Sequence, residues 1–181
     1  MIDEGELGAI SLYLMLAARI DPVAALHATD AWAGDAFVTS RDLEGDLCTR
    51  IVAATRDATS ADVLDAALSD WVAAAPERSL AEAVRRGERF DVTSCDPGPG
   101  SDMGIVVDPM EALALPATRS FVIYGVVDQG FEPEVGVCVW DELLVAVPVK
   151  ALVAPAPPPR VVGQVQDTLM DALLSCRRDV G

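Results

Sequence analysis

Four widely spaced cysteines constrain the fold of this sequence more than any other feature. Cys48, Cys95, Cys138 and Cys176 are spread over a chain of 181 residues, so no two of them have the short CxxC spacing of a zinc knuckle or a redox motif. An even number of distant cysteines indicates two disulfides formed in an oxidising compartment. The alternative is four free thiols buried in a cytosolic protein, because buried cysteine packs as a small apolar residue.

The beginning of the sequence has the pattern of two helices. Over residues 6–20, apolar side chains recur every three or four positions, which is the spacing of one helix face. Asp21 and Pro22 then supply a cap and a first helical residue for a second helix over residues 23–31. Since Gly34 follows shortly afterwards, we expect a helical hairpin that ends there.

From residue 35 the apolar period changes from that of a helix to that of a strand. Two strands joined by an acidic, glycine-containing turn are followed by a helix, which starts at a capping box at residues 59–62 and stops at Pro76. A hairpin comes next, although residues 80–86 also suit a helical turn. The predicted strands are residues 36–41, 47–56, 81–86 and 89–95.

A cluster of prolines and glycines just after residue 96 is the first clear break in the chain. We therefore predict an α+β fold with two subdomains. Residues 1–98 form the helical hairpin and a ββαββ antiparallel sheet unit, and residues 99–181 form a mostly helical subdomain. Its predicted helices are residues 117–129, 133–144 and 161–178, with a stiff proline-rich spacer at residues 155–159.

The subdomain boundary predicts which cysteines pair. Cys48 and Cys95 lie on strands of the first subdomain, and Cys138 and Cys176 both lie in the second. Pairing within each subdomain closes two loops of about 40 to 50 residues, each worth about 4 kcal/mol through the restricted unfolded chain.

The chain is strongly acidic, with 29 Asp and Glu residues against 13 Lys and Arg and a net charge of −16. A field of this sign repels a phosphate backbone, which argues against nucleic acid as a partner. The sequence also has no polybasic patch that would bind an anionic membrane surface. No stretch approaches the ~18 uncharged apolar residues of a spanning helix, so we predict no transmembrane segment.

The sequence shows no catalytic or metal-binding constellation that we can identify. His27 is its single histidine, whereas a zinc site usually needs two or three nitrogen or sulfur ligands. A Ser-His-Asp triad would also have to use His27, and no Gly-x-Ser-x-Gly elbow accompanies it. The acidic stretches at residues 2–6 and 42–46 lack EF-hand spacing and are interpreted as solvated turns. We predict no metal and no cofactor.

The segment Trp32-Ala33-Gly34-Asp35 is a more specific pattern than the composition of the chain predicts. An indole, a glycine and an aspartate between a helix and a strand can fix the turn, because the ring packs while the carboxylate accepts hydrogen bonds from main-chain amides. We therefore predict structural roles for Trp32, Gly34 and Asp35, with a ligand contact as the alternative.

Several short motifs together suggest a family. Gly5-Glu6-Leu7-Gly8 opens a helix, Trp32-Ala33-Gly34-Asp35 follows, and Ser94-Cys95-Asp96-Pro97-Gly98 ends the sheet unit. Over residues 4–98 the chain resembles the C-terminal half of exported, metallopeptidase-like surface proteins and lipoproteins of actinobacteria and haloarchaea. In that family the pattern is GE-x-G-L, then W-x-G-D, so the resemblance adds Glu6 to the structural motif. The family's HExxH-like helix would lie upstream, so no catalytic role carries over.

We expect a non-catalytic binding or accessory module, exported to the cell envelope or the extracellular space. Its partner is a protein or an upstream segment of the same precursor. One alternative is the C-terminal fragment of a metallopeptidase-like hydrolase whose metal site lies upstream or on another chain. Another is a cytosolic subunit of a complex. Asp3, Glu4 and Glu6 do not suit the basic start of a signal peptide, so we expect Met1 to follow a removed leader or upstream region.

Overall fold

The computed structural model describes residues 1–43, 45–101, 105 and 107–180. Within these residues the chain has seven α-helices and one five-stranded antiparallel sheet, so the predicted α+β class is confirmed. Two compact units, Met1–Ala112 and Leu113–Gly181, divide the chain.

The first unit contains the whole sheet, in the order β1-β2-β3-β5-β4. Along the chain, a helical hairpin precedes most of the sheet, and one longer helix lies between the β2-β3 hairpin and the β4-β5 hairpin. The elements are β1 (Asp3–Gly5), α1 (Ala9–Ala17), α2 (Pro22–Asp30), β2 (Trp32–Arg41), β3 (Leu47–Thr55), α3 (Ala58–Ala73), β4 (Glu82–Arg86) and β5 (Arg89–Cys95).

The helices cover one face of this sheet and leave the other face open. In β3, Ile51 and Ala53 are buried, whereas the alternate residues Arg50 and Val52 are exposed, as a half-buried antiparallel strand requires. The helices pack apolar side chains against the buried face of the sheet, and these side chains are among the best buried of the unit. The core is built from Leu12, Leu16, Leu64, Leu68, Trp71, Phe90 and Val92.

The start of the chain differs from the prediction. β1 was not predicted, because three exposed residues with the sequence Asp-Glu-Gly carry no strand signal, and this strand forms by backbone pairing with β2. The helix expected from residue 6 begins only at Ala9. Gly8 has a φ of 76°, a left-handed conformation that glycine adopts most easily, and it marks the helix start.

The sheet unit follows the prediction more closely. β2 already begins at Trp32, with an irregularity between Trp32 and Gly34, so the predicted turn is the bulged start of a strand. Residues 82–86 form β4, which excludes the alternative of a helical turn. Of the acidic turn predicted at residues 42–46, Glu44 lies outside the described residues.

The second half of the chain is helical, as predicted. Its helices are α4 (Pro109–Asp128), α5 (Pro133–Ala146), α6 (Val149–Leu152) and α7 (Pro159–Val180). α4 begins earlier than the predicted residue 117, because the helix continues through Pro116. The core of the second unit contains Val126, Val135, Val139, Leu143, Val147, Ala172 and Cys176.

The observed boundary lies further along the chain than the predicted one after residue 98. Pro97 is fully buried, and the first unit extends beyond it to Ala112. Residues 102–104 of the predicted break lie outside the described residues. Residues Pro109 to Ala112, the first turn of α4, belong to the same unit.

Candidate binding surface

The C-terminal unit has an open apolar groove between α4 and α7. Its volume is about 640 Å³, within the range of about 300–1,000 Å³ that is typical of binding sites. The groove is lined by Thr118, Phe121, Val122, Gly125, Val126, Gln129, Gln166, Leu169, Met170 and Leu173.

The groove has a buried floor and exposed apolar walls. Val126 is 3% exposed and lies in the core, whereas Phe121 is 77% and Met170 is 62% exposed. The polar lining residues, Thr118, Gln129 and Gln166, are uncharged, and no charged side chain is among the lining residues that the structure describes. An occupant would therefore be held mainly by apolar contact.

The apolar surface continues beyond the groove. Phe121 is shared with a shallow depression that also contains Ala117, Ser120 and Tyr124, the last of which is 68% exposed. On another side, Val122 is shared with a further depression that reaches Leu143, Ala151, Leu152, Pro157, Val161 and Val165. Three connected depressions make a surface longer than a compact ligand needs.

The helix α4 is apolar around its circumference but mostly uncovered. It is the one described helix that is long and apolar enough to cross a membrane by length and composition alone. One such helix among the described residues is not a clear membrane span, which agrees with the prediction of no transmembrane segment. Within its most apolar 18-residue window, 17% of the residues are buried, although a helix with apolar residues on all sides is normally enclosed.

One flank of α4 packs closely against α5. A Cβ added to Gly136 would lie 3.1 Å from the main-chain Cα of Ile123, which is closer than an ordinary contact. Glycine at position 136 therefore permits the two helices to touch at this point. The flank that carries Phe121 remains open.

The predicted motif around Trp32 fixes the start of α1. One carboxylate oxygen of Asp35 accepts hydrogen bonds from the Trp32 indole, with an Nε1 to Oδ2 distance of 2.8 Å, and from the Gly8 amide at 3.0 Å. Its other oxygen accepts from the Leu7 amide at 2.6 Å. The two main-chain amides thus belong to residues 7 and 8, which are distant in sequence, and not to the turn itself. The Trp32 side chain is only half-buried.

The remaining motif residues take no part in this cluster. Gly34 does not have a positive φ and lies at the irregular start of β2. Glu6 is exposed, and the described residues give its side chain no hydrogen bond or ion pair. The role that the resemblance implies for Glu6 therefore has no contact to support it.

Both disulfides join the cysteines that were predicted to pair from the sequence. Cys48 and Cys95 are directly opposite each other in β3 and β5, with 3.9 Å between their Cα atoms. Cys138 of α5 and Cys176 of α7 form the second bond, with Cα atoms 5.8 Å apart. The structure has no free cysteine, which is compatible with an oxidising extracellular location.

His27 and the acidic stretches do not assemble a metal site. His27 is exposed on α2. Within the part of the chain that the structure describes, no group of three or more His, Cys, Asp or Glu side chains is placed to hold a metal ion.

The sequence does not reveal the groove, because the groove arises from the packing of two helices that are distant in the chain. The apolar run at residues 120–127 and the apolar stripe of α7 were both visible, but the pattern alone does not show which stripe is left uncovered. Comparison of the chain with protein-family models, curated protein sequences and solved structures gives no match.

Proposed function

We propose that this chain is a non-catalytic binding module of the cell envelope or extracellular space. Its function is to bind an amphipathic helix of a partner protein in the groove between α4 and α7. The observation that carries the proposal is the uncovered apolar wall of α4, with Phe121 at 77% and Tyr124 at 68% exposure. Contiguous exposed apolar surface on a soluble domain marks an interaction site.

A helix fits this surface better than a compact small molecule does. The groove runs between two helices and continues into neighbouring depressions at both Phe121 and Val122. Helix-in-groove recognition uses such a surface, because apolar residues at helical spacing occupy successive depressions.

The charge of the chain indicates the polar face of the partner. The net charge of the chain is −16, and residues 113–181, which contain the groove, hold eight Asp and Glu against five Lys and Arg, a net charge of −3. The excess is negative in both cases, so it favours basic partners over acidic ones within about a Debye length. We therefore expect basic residues on the side of the partner helix that faces solvent.

A lipid bilayer is a less suitable occupant. α4 carries Arg119 near its centre and Pro116 one turn earlier, and a charged residue at the centre of a spanning helix is costly. The acidic chain would also be repelled by anionic lipid headgroups.

The probe is a fluorescent peptide of leucine and lysine residues, patterned as an amphipathic helix about five turns long. The peptide is titrated with the oxidised protein, and its binding is followed by fluorescence. A scrambled peptide of equal composition reports purely electrostatic attraction. We expect saturable binding of the patterned peptide only. Phe121→Asp should weaken it about tenfold or more, because it places an unpaired charge in an apolar contact.

The matched control is Val145→Asp, since Val145 is 87% exposed in the same unit but does not line the groove. Equal binding of both variants, or of both peptides, would contradict the proposal. A dimer by sedimentation that Phe121→Asp dissociates would instead identify a second copy as the occupant. Binding to phosphatidylcholine vesicles that is lost in the same variant would identify a membrane.

A further inference from the structure

A second cavity lies in the N-terminal unit, where the helices leave one end of the sheet uncovered. It has a volume of about 400 Å³. Its walls come from α1, the end of α3 and the strands β2, β3 and β5. The lining residues are Leu7, Ser11, Met15, Arg19, Thr39, Leu47, Thr49, Ile51, Trp71, Val92, Ser94, Cys95 and Asp96.

Arg19 is the single cation among these lining residues, and it is held on an aromatic ring. Its guanidinium carbon lies 4.4 Å from the centroid of the Trp71 ring, which is within cation–π range. Trp71 is 3% exposed, and its Nε1 donates a hydrogen bond to the Met15 carbonyl at 2.9 Å. The indole is therefore fixed, and so is the platform under the guanidinium.

The guanidinium of Arg19 has no anionic partner among the described residues. Its Nη1 atom is buried and makes no hydrogen bond, and no carboxylate lies within ion-pair distance. By contrast, Arg85 pairs with Asp62 and Asp65. An unpaired, partly buried charge is unfavourable unless an anion compensates it.

Burial lowers the pKa of Arg19 from its ordinary value. A guanidinium nevertheless keeps its proton at any physiological pH. The positive charge in the cavity is therefore permanent.

Other lining residues complement this charge. The hydroxyls of Ser11 and Ser94 are available to donate hydrogen bonds. The apolar side chains of Leu7, Leu47 and Val92 provide a wall for a hydrocarbon body. This is the usual composition of a small-molecule site, namely an apolar cavity with a few convergent polar groups.

We propose that this cavity binds a small amphipathic molecule through its carboxylate, with Arg19 as the anchor and the apolar wall enclosing the hydrocarbon part. A planar guanidinium matches a carboxylate in geometry and charge. Asp96 also lines the cavity, and it disfavours a ligand with more than one negative charge. The site therefore selects a monocarboxylate over a phosphate.

The test is calorimetric titration of the full-length oxidised protein with octanoate, octanamide and inorganic phosphate. We expect saturable binding of octanoate and none of octanamide or phosphate. A parallel titration with acetyl-leucyl-leucine, as free acid and as amide, distinguishes a peptide C-terminus from a fatty acid as the source of the carboxylate. Binding of either free acid without its amide supports the proposal and identifies that source.

Arg19→Met keeps an unbranched apolar side chain and removes the guanidinium and its charge. We expect octanoate affinity to fall about tenfold or more, while the Tm of the unliganded variant stays equal or rises, because an uncompensated charge has been removed. Arg50→Met, an exposed arginine on the open face of β3, should leave octanoate affinity unchanged.

Several results would overturn the proposal. These are equal binding of octanoate and octanamide, preferred binding of phosphate, no binding of either acid, or undiminished binding in Arg19→Met. If Arg19→Met fails to fold, the comparison of acid with amide on the native protein decides the question. None of these outcomes depends on the groove of the C-terminal unit.

Discussion

The hydroxyl of Tyr13 donates a hydrogen bond to the main-chain carbonyl of Ala112, with an Oη to O distance of 2.8 Å. In an uninterrupted helix this carbonyl would accept from the amide of residue 116, but Pro116 has no amide hydrogen. A side chain of α1 thus supplies the donor that the proline removes. This contact is one reason why α4 continues through a residue that usually interrupts a helix.

Tyr13→Phe should destabilise the protein by about 1–3 kcal/mol, because it leaves a buried carbonyl without a donor. Pro116→Ala returns a main-chain donor to that carbonyl. In the Pro116→Ala background, Tyr13→Phe should therefore cost clearly less, and urea unfolding of the four proteins measures this coupling. Additive effects of the two substitutions would show that the carbonyl is satisfied in another way.

The same tyrosine predicts a loss of stability at alkaline pH. Burial, with a smaller contribution from the Asp21 carboxylate, raises the pKa of Tyr13 to about 12 from its ordinary value of 10.0. Between these two pH values the unfolded state has lost the phenolic proton while the folded state keeps it. Stability from this group is therefore complete below about pH 10 and is lost as pH rises toward 12.

The expected loss is about 2 kcal/mol over this interval. Unfolding by urea at pH 9.5 and pH 11.5, about one half-unit from each end, measures it. Tyr13→Phe should show a smaller decrease between the same two pH values. An identical decrease in both proteins would assign the alkaline effect to other groups.

Local pattern predicted much of the first unit. The period of two in β3 places Cys48 on the face opposite to Leu47 and Ile51, and the structure pairs that face with Cys95. Features that depend on distant segments were not predictable in this way. The partners of Asp35 are amides at positions 7 and 8, and the tolerance of Pro116 depends on Tyr13.

The same distinction between local sequence pattern and packing of distant segments applies to the two candidate sites. The apolar residues of α4 and α7 were visible in the sequence, but their exposure is a property of packing. Arg19 carried no signal at all, since one arginine at the end of a helix is ordinary. Its significance comes from a tertiary environment that places Trp71 under the guanidinium and, among the described residues, no carboxylate within ion-pair distance.

Asp35 is expected to contribute more to stability than Trp32. Asp35→Ala removes the acceptor of three hydrogen bonds, two from the segment that leads into α1 and one from the Trp32 indole of β2 itself. Bonds to a charged acceptor are worth about 1.5–3 kcal/mol each but are not additive. We expect a total cost of roughly 2–4 kcal/mol. Trp32→Phe, which keeps a smaller aromatic ring and removes one donor, should cost about 1 kcal/mol.

Urea unfolding with Glu6→Ala as the control measures these differences, because Glu6 is exposed on the adjacent segment. A cost for Asp35→Ala no greater than that of the control would show that the α1 start does not depend on this carboxylate. A greater cost for Trp32→Phe than for Asp35→Ala would make ring packing the main contribution.

The two disulfides should stabilise the protein by similar amounts but through different elements. Their sequence separations are 47 and 38 residues, so restriction of the unfolded chain contributes about 4 kcal/mol for each. Cys48→Ala/Cys95→Ala removes a link between β3 and β5, which remain joined by their hydrogen-bonded ladder. Cys138→Ala/Cys176→Ala removes a link between α5 and α7, which have only side-chain packing to replace it.

Hydrogen exchange should therefore show faster opening of α7 in the variant without the Cys138–Cys176 bond. Peptide binding at the groove should weaken in that variant, while the variant without the Cys48–Cys95 bond keeps its groove. Thiol titration of the unreduced protein from its native source should find no free cysteine. Four reactive thiols would instead support the cytosolic alternative, and unchanged exchange in α7 would show that apolar packing alone holds that helix.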